Sequence, residues 1–186
     1  MLALLAGCAG LPAHADALGQ VRQLQASGHL EQALRELHPL IERRPNDPQY
    51  RLTEALLLQR MHRDAQAIEV LHALTVQYPE LPEPHNNLAV LYAAQGHDLL
   101  ALEQLRMALR TNPAYATAAS NLGDLYLRLA ADAYRRAVAG SGDAAAQAHA
   151  RARLQLLQPL QQAPVAPAPA ASAATASATA SAKPAP

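Results

Sequence analysis

A fixed period of 34 residues runs through the middle of this chain. Proline, alanine and leucine each recur on that spacing: the residues are Pro45, Pro79 and Pro113, then Ala33, Ala67 and Ala101, then Leu37, Leu71 and Leu105. A period of this size is typical of stacked repeats, in which each unit buries its apolar face against its neighbours. The period therefore constrains the fold more than any other feature of the sequence.

The composition indicates that the repeated units are helical. The chain has 186 residues, of which 51% are hydrophobic but only 3% are aromatic, and it contains neither Trp nor Phe. Its apolar residues are mostly Ala and Leu, which favour helices, whereas the β-branched and aromatic residues that favour strands are scarce. The 15 basic and 15 acidic residues leave no net charge, which argues against a general binder of nucleic acid or of anionic membranes.

Residues 82–115 carry the clearest copy of the repeat. Its marked positions are Asn87-Leu88-Ala89, Tyr92, Gly96, Ala101, Leu105, Ala108-Leu109 and Pro113. This pattern resembles the tetratricopeptide repeat (TPR), which folds as two antiparallel helices per 34 residues, although His85 stands where the family usually has Trp. The resemblance implies small residues where the helices cross, Gly at the turn between them, and Pro at the start of the next helix, where its missing N–H costs little.

The TPR resemblance implies an all-α, helix-turn-helix solenoid of about three and a half repeats, with a capping helix and a disordered tail. The predicted repeats are 14–47, 48–81 and 82–115, followed by a degenerate fourth repeat at 116–142, a capping helix at 143–158 and an Ala/Pro-rich tail at 159–186.

The fourth repeat departs from the pattern in its second half. Leu125 to Val138 contains no Gly or Pro, so we expect either one long helix or a tight, irregular turn. Tyr126 repeats the position of Tyr92, and both are expected to pack in the core. Asp143 is a predicted N-cap for the last helix. No Leu follows Leu160, so the tail has little that a folded segment would bury.

The N-terminus resembles the end of a bacterial lipoprotein signal peptide. Leu5-Ala6-Gly7-Cys8 matches the lipobox, in which a peptidase cuts before the cysteine and the thiol carries a diacylglycerol. Residues 1–8 are then a signal remnant and Cys8, the chain's only cysteine, is the lipidation site. The basic segment that usually precedes a lipobox is absent, which puts the start of the sequence in question. The alternative is an Ala/Leu-rich terminus that contains a cysteine by chance.

The polar residues give no pattern for catalysis, metal binding or a cofactor. Equivalent histidines in neighbouring repeats are expected to lie about 10 Å apart, too far to share a zinc ion. The sequence has no phosphate-binding glycine loop, because Gly140-Ser141-Gly142 lacks the lysine that would follow it. We predict a protein that is not an enzyme, needs no cofactor or metal, and takes no small-molecule substrate or nucleic acid.

The TPR resemblance places a ligand groove along the first helices of the repeats. Its predicted binding residues are Gln59, Asn86, Asn87, Asn121, Asp124 and Arg128, with Gln49, Thr53, Leu56, Arg60 and Val90 beside them. Amides carry both donors and acceptors, so a row of them can bind the backbone of an extended peptide. The alternative is that Asn at this position joins neighbouring helices. The clamp that holds a terminal carboxylate is disfavoured, since the repeats contain no lysine.

These features predict a non-catalytic interaction scaffold that binds a protein or an extended peptide. With the lipobox, they favour an outer-membrane lipoprotein that is anchored through Cys8 and faces the periplasm. Two alternatives stay open: a pilotin-like assembly factor for type IV pili or another envelope complex, and a soluble cytoplasmic TPR co-factor.

Overall fold

The computed structural model describes residues 13–140 and 142–161, and in those residues the chain forms eight helices and no strand. The helices are α1 (Ala13–Ala26), α2 (Leu30–Arg43), α3 (Pro48–Arg60), α4 (Asp64–Gln77), α5 (Pro82–Ala94), α6 (Asp98–Thr111), α7 (Ala116–Gly140) and α8 (Ala144–Gln161). The chain divides into two compact units. The first ends at Leu125 and the second begins at Tyr126, so the boundary falls inside α7.

In the first unit, consecutive helices form three stacked hairpins. Helix α1 packs on α2, α3 on α4 and α5 on α6, and the hairpins are joined by contacts of α2 with α3 and of α4 with α5. Apart from Ala13, each pair falls within one predicted repeat. Because the hairpins pack against one another, the all-α solenoid of helix-turn-helix repeats that the TPR resemblance implies is confirmed.

The alanines and leucines that define the period are residues that the stacking buries. Ala33, Ala67 and Ala101 are each 0% exposed, because the small side chain lies where two helices approach closely. The leucines that follow them by four residues, Leu37, Leu71 and Leu105, are at most 2% exposed and fill the space between the helices.

The first helix of each complete repeat ends in the same turn. The residue after the turn donates its backbone N–H to a carbonyl five positions earlier, for example His97 to Tyr92 at 2.8 Å, as in a Schellman motif. This turn needs a positive φ. Gly28 and Gly96 provide it, but the second repeat has His62 there, at φ 57°, and this places an L side chain in a conformation that favours glycine.

The prolines do not all lie where the TPR pattern suggested. Pro45, Pro79 and Pro113 precede the next helix by three residues, in the linkers, so the expectation that they begin it is wrong. Pro48 and Pro82 occupy the first turns of α3 and α5 instead, where a missing N–H costs no helical hydrogen bond.

Of the two forms expected for the fourth repeat, one long helix or a tight turn, the structure has the long helix, α7. It runs without interruption from Ala116 to Gly140, because no Gly or Pro supplies the turn that ends α1, α3 and α5. The fourth repeat therefore has no second helix folded back on the first. Tyr126 is 45% exposed, so the expectation that it packs in the core is wrong.

Helix α8 of the second unit begins as predicted but extends further. The Asp143 carboxylate accepts the backbone N–H of Ala145 at 2.8 Å, which confirms the N-cap. Ala150 is 2% exposed, whereas Leu156 and Leu160 are largely exposed. The helix continues through Pro159 to Gln161, past the boundary at residue 158 that the sequence suggested.

Three predictions fall outside the described residues: the signal remnant at 1–8, Cys8 itself, and the tail from residue 162 onward. In the part of the chain that the structure describes, no helix combines the length and the apolar character needed to cross a bilayer.

Candidate functional site

The predicted groove residues differ in exposure. Asn86 is buried at 1% exposure, whereas Gln59, Asn87 and Asn121 are half-buried. Asp124 is exposed on α7, one turn after Asn121, and Arg128 is half-buried on the same helix, in the second unit.

Hydrogen bonds bring three of these residues together. The Asn121 Nδ2 atom of α7 donates to Asn86 Oδ1 of α5 at 2.9 Å, and Asn86 Nδ2 lies 3.5 Å from Asn87 Oδ1. We call Asn86, Asn87 and Asn121 the amide triad. It joins the first helices of the third and fourth repeats.

Asn86 differs from the other two members of the triad. Asn86 is enclosed, and its oxygen and nitrogen are both directed at protein partners, so it joins neighbouring helices. Asn87 and Asn121 each use one atom of their amide within the triad, and a primary amide has four hydrogen-bonding positions. These two residues therefore keep donors and acceptors for a ligand.

The second repeat contributes a different surface. Thr53 holds the position that Asn87 and Asn121 hold in the later repeats, but its Oγ1 donates to the Gln49 carbonyl at 2.7 Å and the residue is 7% exposed. Arg60 Nη1 donates to the Gln25 carbonyl at 2.6 Å, so this guanidinium joins α3 to the last turn of α1.

Sequence reasoning missed the partner of His85, the residue in the family's Trp position. The ring is 5% exposed, and its Nδ1 lies 2.7 Å from Gln104 Oε1 on α6. Its Nε2 is buried with no hydrogen-bond partner in the described part of the chain. The periodic pattern could not reveal this pair, because the other repeats have no polar pair at these two positions.

Sequence reasoning also missed Tyr115, which lies in the linker before α7. Burial raises the pKa of Tyr115 above its usual value of 10.0, the Glu83 carboxylate raises it further, and a hydrogen bond with the Thr117 side chain lowers it. Glu83 and Thr117 occupy the same position in consecutive repeats. That shared position is the only feature of the sequence that could have drawn attention to these neighbours of Tyr115.

Alkaline pH should therefore reveal Tyr115. A raised pKa in the folded state means that this phenol favours folding below pH 10.0, and that the contribution is lost as the pH rises through the folded-state pKa. We expect a late-titrating phenol in the ultraviolet absorbance titration that Tyr115→Phe removes. Glu83→Gln should move its midpoint toward the usual value, and an unchanged midpoint would show that the carboxylate does not act on the ring.

The described residues contain no group of three or more His, Cys, Asp or Glu side chains placed to hold a metal ion.

Solved structures share this arrangement of helices. The TPR protein TTC0263 of Thermus thermophilus superimposes with a TM-score of 0.58 at 22% identity, covering 79% of this chain and 82% of its own. The fold of this chain is TPR-like. The type III secretion translocator chaperone SycD of Yersinia enterocolitica matches with a TM-score of 0.58 at 16% identity, over 66% of this chain and 98% of its own.

A third similar structure is the first TPR domain of human RPAP3, with a TM-score of 0.57 at 14% identity, covering 61% of this chain and 90% of that domain. At these identities the likeness concerns the fold. No protein-family model and no curated protein sequence matches the chain.

Proposed function

We propose that this chain is a non-catalytic interaction scaffold that holds an extended protein segment against the first helices of its last repeats. The observation that carries the proposal is the amide triad. Its buried member, Asn86, is held by hydrogen bonds, while Asn87 and Asn121 remain partly exposed with unused donors and acceptors.

The surroundings of the triad suit a peptide backbone. Val90 lies one turn along α5 from Asn86 and is half-buried, as is Leu56 at its equivalent position on α3. Amides beside apolar side chains can bind the C=O and N–H groups of a peptide and cover part of its side chains, with little demand on sequence. Asp124 adds a negative charge at the α7 edge of the surface.

Two similar structures were solved with peptides. SycD was crystallised with a peptide of the translocator YopD, and the first TPR of Spaghetti was solved with the HSP90 peptide SRMEEVD. Their likeness to this chain supports a protein segment as the partner, while the absence of lysine from the repeats argues against a carboxylate clamp here.

The test is a capture experiment with the double variant Asn87→Ala/Asn121→Ala. Proteins that co-purify with the unchanged chain should be lost or strongly reduced with the variant, because the two half-buried amides and their unused donors and acceptors are gone while Asn86 stays. The matched control is Gln32→Ala/His72→Ala, which truncates two exposed residues on the second helices α2 and α4. Partner recovery that is equal in all three samples would contradict the groove as the binding site.

We further propose that the scaffold is an outer-membrane lipoprotein that faces the periplasm, anchored through Cys8. The support is the lipobox, Leu5-Ala6-Gly7-Cys8, together with the fact that the chain has a single cysteine. Several acyl chains would hold it stably, whereas one chain binds only marginally. The pilotin-like and soluble cytoplasmic functions are the alternatives.

Metabolic labelling with palmitate tests the anchor. The unchanged chain should incorporate label, and both Cys8→Ala and Gly7→Asp should not. Gly7→Asp keeps the thiol but places a charged side chain within the lipobox, where small residues are required, so it separates lipobox-dependent acylation from incidental acylation of a thiol. Equal labelling of all three chains would refute the anchor, and an unlabelled wild type would favour the cytoplasmic alternative.

A further inference from the structure

Helix α6 presents an apolar and charged stripe to solvent. Six residues at helical spacings of three and four line an open groove of about 630 Å³ along this helix: Leu99, Leu102, Glu103, Arg106, Leu109 and Arg110. We call this set the α6 stripe. All of its members lie in the first compact unit.

The start of the stripe exposes leucines where the other repeats do not. Leu99 is 76% exposed and its neighbour Leu100 is 46% exposed. The equivalent residues are Glu31 and Gln32 on α2, and Ala65 and Gln66 on α4. Helix formation does not require leucine at these positions, and large exposed apolar patches mark interaction surfaces.

The other two leucines of the stripe are more exposed than their equivalents on α2. Leu34 and Ile41 on α2 are 8% and 7% exposed, whereas Leu102 and Leu109, their equivalents on α6, are only half-buried. On α4 the equivalent residues Ile68 and Thr75 are half-buried as well. Leu102 and Leu109 therefore add partly exposed apolar surface to that of Leu99.

The order of charged residues along α6 indicates which partner fits the α6 stripe. The acidic residues Asp98 and Glu103 lie in the first half of α6, and the basic residues Arg106 and Arg110 lie in the second half. This order stabilises the helix through its dipole. It also makes the helix complementary to an antiparallel copy of itself, because each acidic half then faces a basic half.

We propose that the α6 stripe is a self-association surface, on which α6 of a second copy docks in antiparallel orientation about a two-fold axis. Such an interface is closed and uses the same patch on both partners. The exposed leucines lie between the helices, and the two charged halves set their direction.

Other segments of the chain fit the stripe less well. Helix α8 also exposes leucines, but its charged residues are Arg151 and Arg153 with no acid, so it repels the basic half. The segment from residue 162 onward contains no Leu, Ile, Met or aromatic residue and so lacks side chains to bury against the leucines.

The expected association is weak. A contact between two single helices belongs to the smallest class of interfaces, below about 1,200 Å² in total. We therefore expect dissociation constants of roughly 10–100 μM, and dimers that become prominent only at high protein concentration.

Sedimentation velocity of the full-length chain over a concentration series tests the proposal, with a reducing agent to prevent disulfides through Cys8. A monomer–dimer equilibrium is expected, and Leu102→Glu should weaken it at least about tenfold, because two uncompensated charges would enter the interface. Val76→Glu is the matched control, since Val76 is 72% exposed on α4, outside the stripe, and should leave association unchanged. Circular dichroism checks that both variants fold.

Charge reversal adds a test that a merely misfolded variant cannot pass. Glu103→Arg and Arg110→Glu should each dissociate the dimer, because each makes α6 predominantly one sign. An equimolar mixture of the two variants should associate again, since a mainly basic helix then meets a mainly acidic one. A chain that stays monomeric at all concentrations, or a dimer that Leu102→Glu and the single charge reversals leave intact, would overturn the proposal.

Discussion

Truncating Leu71 to Ala is expected to destabilise the fold by about 2–5 kcal/mol, the range for removing most of a fully buried leucine and leaving a cavity. Leu71 is 1% exposed on α4, and α4 contacts both its hairpin partner α3 and the next hairpin through α5. A cavity there weakens two interfaces, because the stability of a repeat array depends on the contacts between neighbours.

Chemical denaturation followed by circular dichroism measures this effect, and the same helix supplies the control. Val76 is 72% exposed, so Val76→Ala should change the free energy of unfolding by no more than about 0.5 kcal/mol. If Leu71→Ala and Val76→Ala shifted the unfolding midpoint equally, Leu71 would not be the packing residue that its burial indicates.

The repeat could be predicted because it depends on residues of the same type that recur at a fixed spacing. A small residue such as Ala67 and a leucine four positions later define a helix crossing wherever they recur, and all three copies are buried as expected. The sequence could not decide the form of the fourth repeat, since the lack of Gly and Pro between Leu125 and Val138 allowed either a long helix or a strained turn. His62 shows why: one repeat makes the turn without glycine.

The candidate site was predicted less fully, because neighbouring residues on a helix point about 100° apart. The TPR pattern assigned both Asn86 and Asn87 to the groove, but only Asn87 stays half-open, while Asn86 is enclosed and bonded to Asn121. The spacing identified Asn87 and Asn121 as equivalent residues. It could not show that the link between them passes through Asn86, since that link depends on how α5 and α7 pack.

The second large effect on stability is expected from enlarging a side chain at a helix crossing. Ala67→Leu should destabilise the fold by about 1–3 kcal/mol, as extra carbons in a packed core force side chains and backbone apart. Ala67 is 0% exposed on α4, where helices that cross through a small residue approach too closely to admit a leucine. Its equivalents Ala33 and Ala101 are equally enclosed.

Ala65→Leu on the same helix separates close packing from helix propensity. Ala65 is exposed two residues before Ala67, and both substitutions replace Ala by Leu, which differ little in helix propensity. The difference between the two unfolding free energies therefore measures the crossing alone, and it should be at least about 1 kcal/mol. Equal unfolding free energies would mean that alanine recurs at this position because of its helix propensity. The helices could then cross at a larger distance than the buried alanines indicate.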